Sequence, residues 1–285
     1  MITSVKDLVD AHLEGRKLFR SWSKVPSQTT ASGIWFDLSM SPGNPVPQYY
    51  FATQATRLAR STDGGLDHGP DLGAGYKKYL SHFDITTATA TAAGSTFQLL
   101  DYLLFYGGVA MDVGIVELTN NVGLSRYTSG RGVQIMAVEQ NPYVSGGATF
   151  QITYTNQDGV AGRLTPIVRC NTQVSTGTIV TSAPASAGCI GPFIPLQDGD
   201  TGVRSIQSIE FFVGDVGLLA LVLVKPLAYF QIYENTAPNF YEMWRDFKFL
   251  PKIEDDAYLN LICRPNGTLA AAQIQGNITT IWSAD

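Results

Sequence analysis

The stretch that most constrains this chain is TGVRSIQSIEFFVGDVGLLALVLVKPL, from Thr201 to Leu227. In its first half Ile209, Phe211 and Val213 fall on one side, with Glu210 and Phe212 on the other. That is the period-2 pattern of a strand with one buried face. Gly214-Asp215-Val216-Gly217 then breaks the run where glycine makes a tight turn cheap. Leu218 to Val224 is continuously apolar, as a strand covered on both faces would be. Pro226 has no N–H to give a ladder and is expected to end that strand. The stretch therefore predicts a β-hairpin at the centre of a β-rich core.

The same signals recur along the chain. Gly132–Val138 alternates, as does Ala148–Thr155 through Phe150, Ile152 and Tyr154; Asn156-Gln157-Asp158-Gly159 then turns the chain and Val160–Val168 returns. Ala257–Cys263, the turn Arg264-Pro265-Asn266-Gly267 and the run beyond predict another hairpin. Ile34–Leu38 and Tyr229–Glu234 read as strands, ITTATATAAGST as an exposed strand or extended connection. Phe97–Tyr106 fits a buried helix or a buried strand equally. At the N-terminus, Ser4 and Asp7 form a capping box. Val5, Leu8, Val9, His12 and Leu13 recur at helical spacing, and Leu18, Phe19 and Trp22 continue it to residue 25, with Gly15 weakening the middle. A turn at Ser41-Pro42-Gly43 opens an extended Pro-rich arm that ends in Tyr49, Tyr50 and Phe51. The expected fold is mainly β: an antiparallel β-sandwich or jelly-roll-like domain with an N-terminal helix and an extended Pro-rich arm. Residues 1–50 form the helix and arm and residues 51–285 the β-rich body, with a division into two sub-domains near 120–130 as one option.

Composition bears on what surrounds the chain. Charged residues are 15% of the 285, against roughly 25% in an ordinary soluble domain. A surface so poor in charge is covered by other chains, or else is a sandwich dressed in Thr, Ser and Asn. On the first reading the contact candidates are Leu8, Leu13, Phe19 and Trp22 in the helix, with Trp35, Tyr49 and Tyr50 around the arm. A net charge of −5 without any Lys/Arg run lacks the footprint of a nucleic-acid binder. The longest apolar run falls far short of the ~20 residues that cross a bilayer, and the acids near the N-terminus speak against a secretory signal. Cys170, Cys189 and Cys263 suit neither a disulfide framework nor a zinc cluster and are expected as free thiols, a Cys170–Cys189 bridge being the alternative. The sequons at Asn266 and Asn277 are read as chance.

One loop invites a chemical reading. Asp63, Asp67, His68 and Asp71 lie close together in a glycine-rich segment, and oxygen ligands at short spacing can hold calcium. The spacing is not that of an EF-hand and no terminal glutamate closes it, so a plain surface loop is preferred over a metal site or hydrolytic use. The three histidines, His12, His68 and His82, stand in no G-x-S-x-G context. Neither a Walker loop nor a dinucleotide fingerprint is present. The expectation is no catalytic residue and no cofactor.

Five segments carry a resemblance: ITSVKDLVDAHLEGR (Ile2–Arg16), YTNQDGVAG (Tyr154–Gly162), GPFIPLQDGDTGVRSIQSIEFF (Gly191–Phe212), LALVLVKPLA (Leu219–Ala228) and AYLNLICRPNGTLAAA (Ala257–Ala272). Together they resemble structural proteins of tailed bacteriophages. The resemblance implies a non-enzymatic virion component assembled in the host cytoplasm, on or at the head. A capsid decoration or cement protein is expected, with the major capsid protein and copies of itself as partners, in a symmetric homo-oligomer such as a trimer. The alternative is a tail- or fibre-associated module that contacts host glycans, with Tyr241, Trp244 and Trp282 stacking on sugars.

Overall fold

A computed structural model describes residues 2, 4–26, 28–56, 64–144, 146–173, 175–183, 188–235 and 237–284. Its strands form three antiparallel sheets. The central sheet runs β2 (Phe36–Asp37), β16 (Leu259–Arg264), β6 (Thr96–Ala110), β13 (Leu218–Gln231), β8 (Gln134–Asn141), with β4 (Ala55–Thr56) beside β6. A second sheet runs β14 (Asn239–Glu242), β5 (Tyr76–Thr87), β17 (Ile274–Ala284), β1 (Lys17–Lys24), β3 (Gly43–Asn44), with β15 (Lys252–Ile253) on β5. The third runs β10 (Arg163–Leu164), β9 (Thr149–Asn156), β12 (Val203–Val213), β7 (Gly114–Glu117), with β11 (Val168–Arg169) on β9. The mainly β, antiparallel sandwich expected from the sequence is the fold observed.

The central sheet serves the three large cores. Leu219, Leu221 and Leu223 of β13 meet Phe150, Ile152, Ile206, Ile209 and Phe211 of the third sheet. Further along, Phe230 of β13 and Phe97 and Leu99 of β6 meet Trp22, Leu80, Phe83, Ile274 and Ile278 of the second sheet. The alternate residues Ala220, Val222 and Val224 pack beneath Trp35, Met40, Tyr50 and Ile179. Both faces of β13 are thus covered, which is why Leu218–Val224 carries no polar residue. Phe97–Tyr106, ambiguous in sequence, is a strand for the same reason: β6 lies between β13 and β16.

The central hairpin is not there. Both strands form where expected, but β12 pairs with β9 and β7, whereas β13 pairs with β6 and β8. Gly214–Gly217 carries the chain from one sheet to the one stacked on it. Gly217 sits at φ +141, and a Cβ on Gly214 would press on the Met111 carbonyl oxygen, so both glycines are needed for the crossing. Pro226 does not end the strand either, since β13 continues to Gln231 opposite β6, with a register shift after Pro226. The β8 partner has already stopped at Gln134 opposite Val224, so no ladder bond is lost on that side. The C-terminal hairpin is likewise a crossing: β16 lies in the central sheet and β17 in the second. Its connecting loop is stitched to the N-terminal segment, Gly33 N–H to the Pro265 carbonyl at 2.8 Å and Leu269 N–H to Thr30 Oγ1 at 2.9 Å. The Asn156–Gly159 turn is a hairpin as expected, with Gly159 at φ +82 and β10 folded back on β9.

The expected helix over 1–25 is shorter. Helix α1 (Val5–Leu13) has its capping box, Ser4 Oγ accepting from Asp7 N at 3.2 Å and Asp7 Oδ2 accepting from Ser4 N at 2.9 Å. It stops at Gly15, whose φ of +71 lets its N–H reach the His12 carbonyl (3.2 Å) and Arg16 N–H reach Ala11 (2.8 Å). That is a Schellman ending, so Gly15 terminates the helix rather than weakening it. Residues 17–24 are strand β1, with Leu18, Arg20, Trp22 and Lys24 turned inward and Lys17, Phe19 and Ser21 outward. Leu18, Phe19 and Trp22 fit both periods, and the glycine decides between them.

Candidate contact surface

The Asp/His loop can be placed first. Asp63 lies outside the described residues. His68 is buried, its Nε2 donating to the Ala257 carbonyl at 3.0 Å and its Nδ1 accepting from Lys78 Nζ at 3.1 Å. Burial, helped by the Lys78 ammonium, pushes its pKa down to about 4, so the ring is neutral at physiological pH. Asp67 accepts from Arg20 Nε (2.8 Å) and from Gly69 N (2.9 Å), and Asp71 is exposed. The loop's side chains are spent on fastening it to β1 and β5. Among the described residues no group of three or more His, Cys, Asp and Glu could hold a metal ion.

Other buried polar groups have the same stapling character. Asp37 accepts from Tyr102 Oη (2.7 Å), Ser39 N and Oγ (2.8 and 2.9 Å) and Tyr50 Oη. Asp101 lies on β6 between the residues that enter the two main cores. It accepts from Arg126 Nε (2.9 Å) and Nη2 (2.6 Å) and from Tyr258 N (3.0 Å). Burial pushes the Asp101 carboxyl up, to about 6, against the pull of Arg126. Asp200, held by Tyr154 Oη (2.5 Å), Asn156 Nδ2 (2.7 Å) and Arg163 Nε (2.9 Å), falls to about 2, these bonds outweighing its desolvation. The cysteines are free; Cys170 and Cys263 are buried and Cys189 half-buried.

The contact candidates divide sharply. Trp22, Trp35 and Tyr50 are at most 6% exposed. Trp22 stacks on Phe83 with ring centroids 5.5 Å apart, and Tyr50 meets Phe105 edge-on at 5.2 Å. These three are core residues of their own chain and are withdrawn as contacts: burying large aromatics inside the sandwich competes with presenting them, and here the core wins. Leu8 is half-buried beside Ala11, Tyr79 and Ile281. Leu13, Phe19 and Tyr49 stand exposed.

Sequence reasoning missed other outward apolar groups. Val5 and Val9 share the outer side of α1 with Leu13, while Ala11 faces the body. Phe51, which the sequence places among the aromatic ends of the arm, is 80% exposed. On the third sheet Val113 just before the edge strand β7, Ile115 on β7 and Phe212 on the adjacent β12 are exposed. Phe212 gave a signal, being a large aromatic on the face that also carries Glu210. Val213, expected inside, is turned out by a register shift after Phe211. Tyr241 lines an aromatic cleft, and Trp244 and Trp282 are half-buried without lining it. No described helix is long and apolar enough to cross a membrane.

No protein-family model matches this chain, and no curated protein matches it. Among solved structures it is similar to infectious bursal disease virus, Gt strain, at 8% identity and a TM-score of 0.17, over 95% of this chain and 82% of that one. It is also similar to the VP2 subviral particle of that virus, at 9% identity and a TM-score of 0.18, over 95% and 81% of the two chains.

Proposed function

We propose that this chain is a non-enzymatic structural component of a tailed-phage virion: a capsid decoration or cement protein that braces the head through the major capsid protein and through copies of itself in a symmetric homo-oligomer. The observation that supports this best is the outer stripe of α1. Val5, Val9 and Leu13 follow one another at i, i+4 and i+8, so they form one line on the helix. The opposite side of the same helix, through Leu8 and Ala11, already covers β5 and β17. A helix apolar on two sides is one that is covered on two sides. Fully burying an exposed side chain of this kind is worth about 1.5–3 kcal/mol. Val5, Val9 and Leu13 still have about half or more of that surface to cover, with the Lys6–Asp10 ion pair beside the line able to stay at its solvent rim. The phage resemblance of five sequence segments and the scarcity of charge point the same way.

The test is a triple substitution, Val5→Ser, Val9→Ser and Leu13→Ser. The variant is expected to keep its circular dichroism, to sediment at a smaller mass and to be missing from purified particles. Wild-type copy number in the particle would defeat the reading, as would a cryo-EM map with this chain's density on the tail.

A further inference from the structure

The outer face of the second sheet carries an arrangement that assembly through α1 leaves unused. Register places Phe240, Asp84, Asn277 and Ser21 side by side on β14, β5, β17 and β1. Their chain neighbours Phe83, Ile85, Ile278 and Trp22 point the other way, into the core. The row is bonded along its length: Ser21 Oγ donates to Asn277 Oδ1 (2.8 Å), and Asn277 Nδ2 donates to both Asp84 oxygens (3.1 and 2.9 Å). Its polar atoms are fixed before anything binds.

Phe240, 69% exposed, ends this row and lines two clefts. One, of about 350 Å³, lies over Asp84 and Asn277; the other, of about 440 Å³, is walled by Tyr229, Tyr233, Gln231 and Arg245. Of the nine exposed Phe and Tyr side chains among the described residues, four lie between 229 and 249, so aromatic surface is concentrated here. The walls are held rigidly. Tyr241 Oη accepts from Gln231 N (2.9 Å) and donates to Gln231 O (2.6 Å), and a π-helical turn at Met243–Phe247 closes on Lys248 at φ 63.

We propose that the groove crossing Phe240 binds a neutral carbohydrate chain. A sugar ring presents an apolar face that stacks on an aromatic ring and a rim of hydroxyls that needs fixed donors and acceptors. Here Phe240 is shared by the cleft walled by Tyr229 and Tyr233 and the cleft over the carboxylate–amide–hydroxyl row, so aromatic surface and fixed polar atoms meet at one ring. Arg245 is neutralised by Asp246, with Nε and Nη2 at 2.8 and 3.1 Å from its oxygens, so the cleft offers no net positive charge to an anion. Two clefts that share Phe240 have room for more than one ring, which suits a chain ligand better than a single small molecule.

The experiment titrates the purified chain calorimetrically with hexasaccharides of glucose, N-acetylglucosamine, galactose and mannose, beside the Phe240→Ala and Tyr233→Ala variants. Both residues are exposed, so neither change opens the core. The expected result is millimolar or tighter binding of at least one saccharide, weakened about tenfold by each variant, about 1.4 kcal/mol, with unchanged melting temperature. Absence of binding to all four, or binding that neither variant alters, overturns the proposal. So does loss of either variant from particles without saccharide binding, which would make the groove a protein contact. The titration needs no particle, so it fails or succeeds independently of the assembly reading.

Discussion

Gly15 shows how one residue without a side chain redirects the chain. A Cβ at Gly15 would meet nothing within 4 Å, so its replacement is resisted only by the φ of +71. Gly15→Ala should therefore cost about 1–2 kcal/mol, the penalty of an L-residue in the left-handed region, without disturbing any neighbour. Urea denaturation reads this directly, and an unchanged midpoint would mean that the Schellman ending does not hold the helix. His68 is the second such residue. Its folded pKa of about 4 lies below the ordinary 6.5 because burial and Lys78 both oppose a second charge; Asp67 and Asp71 pull weakly the other way. The unfolded chain then binds the proton more readily, so the stability His68 confers is complete above pH 6.5 and drains away as pH falls towards 4. Relative to a His68→Gln variant, the wild type should lose about 2–3 kcal/mol between pH 7.5 and 4.5. A difference that stays flat with pH would mean the ring is not buried neutral against Lys78. The sequence showed the Asp/His cluster but not its use, because nothing local reveals that Lys78 and the Ala257 carbonyl lie on either side of the imidazole.

At the scale of elements, the sequence marked most of the long strands and misassigned their partners. Turn residues report that the chain bends, and Gly214–Gly217 and Arg264–Gly267 do bend it. Whether a bend joins neighbours in one sheet or crosses to the sheet above depends on pairings with strands far away in the chain, such as Phe211 with Phe150 and Val222 with Phe105. A legible clue existed: β12 alternates over Ile209–Val213 whereas β13 is apolar without a break over Leu218–Val224, and two strands side by side share the same two environments. Unequal patterns across a turn thus argue for different layers, and β9 with β10 lacks that mismatch. The contact surface was less legible. Trp22 and Tyr50 look identical to contact aromatics in sequence; strand register separates Trp22 from Phe19, and packing on Phe105 with a bond to Asp37 separates Tyr50 from Tyr49. Register also sets a strict limit within the second sheet. Gly276 of β17 lies opposite Ile85 of β5, and a Cβ there would overlap the Asp84 carbonyl oxygen. Since φ at this glycine is ordinary, the obstacle is space alone. Gly276→Ala should cost about 2–3 kcal/mol by forcing the two backbones apart. A thermal shift within a degree of wild type would show that β5 and β17 can separate freely.

The whole molecule is two sandwiches on one shared sheet. β6 and β13 run beneath both, giving Leu103, Leu219 and Leu223 to one core and Phe97, Leu99 and Phe230 to the other. Neither core can lose its floor without stripping the other, so the pair should unfold as one unit despite a chain of 285 residues. The seam is where this coupling is most exposed to test. Asp101 sits there fully buried with Arg126, whose remaining donors reach the Tyr102 carbonyl at 3.0 Å and Asp256 at 3.3 Å. Arg126→Met removes the partner and leaves a carboxylate buried between the cores, a loss of about 3–5 kcal/mol. The added substitution Asp101→Leu should restore much of that, since an apolar pair of similar volume carries no desolvation cost. If the sheet couples the cores, the single variant lowers one calorimetric transition as a whole, with the van't Hoff and calorimetric enthalpies still equal. Two resolved transitions, with only one of them moved by Arg126→Met, would mean that each sandwich stands alone and the long strands merely pass from one to the other.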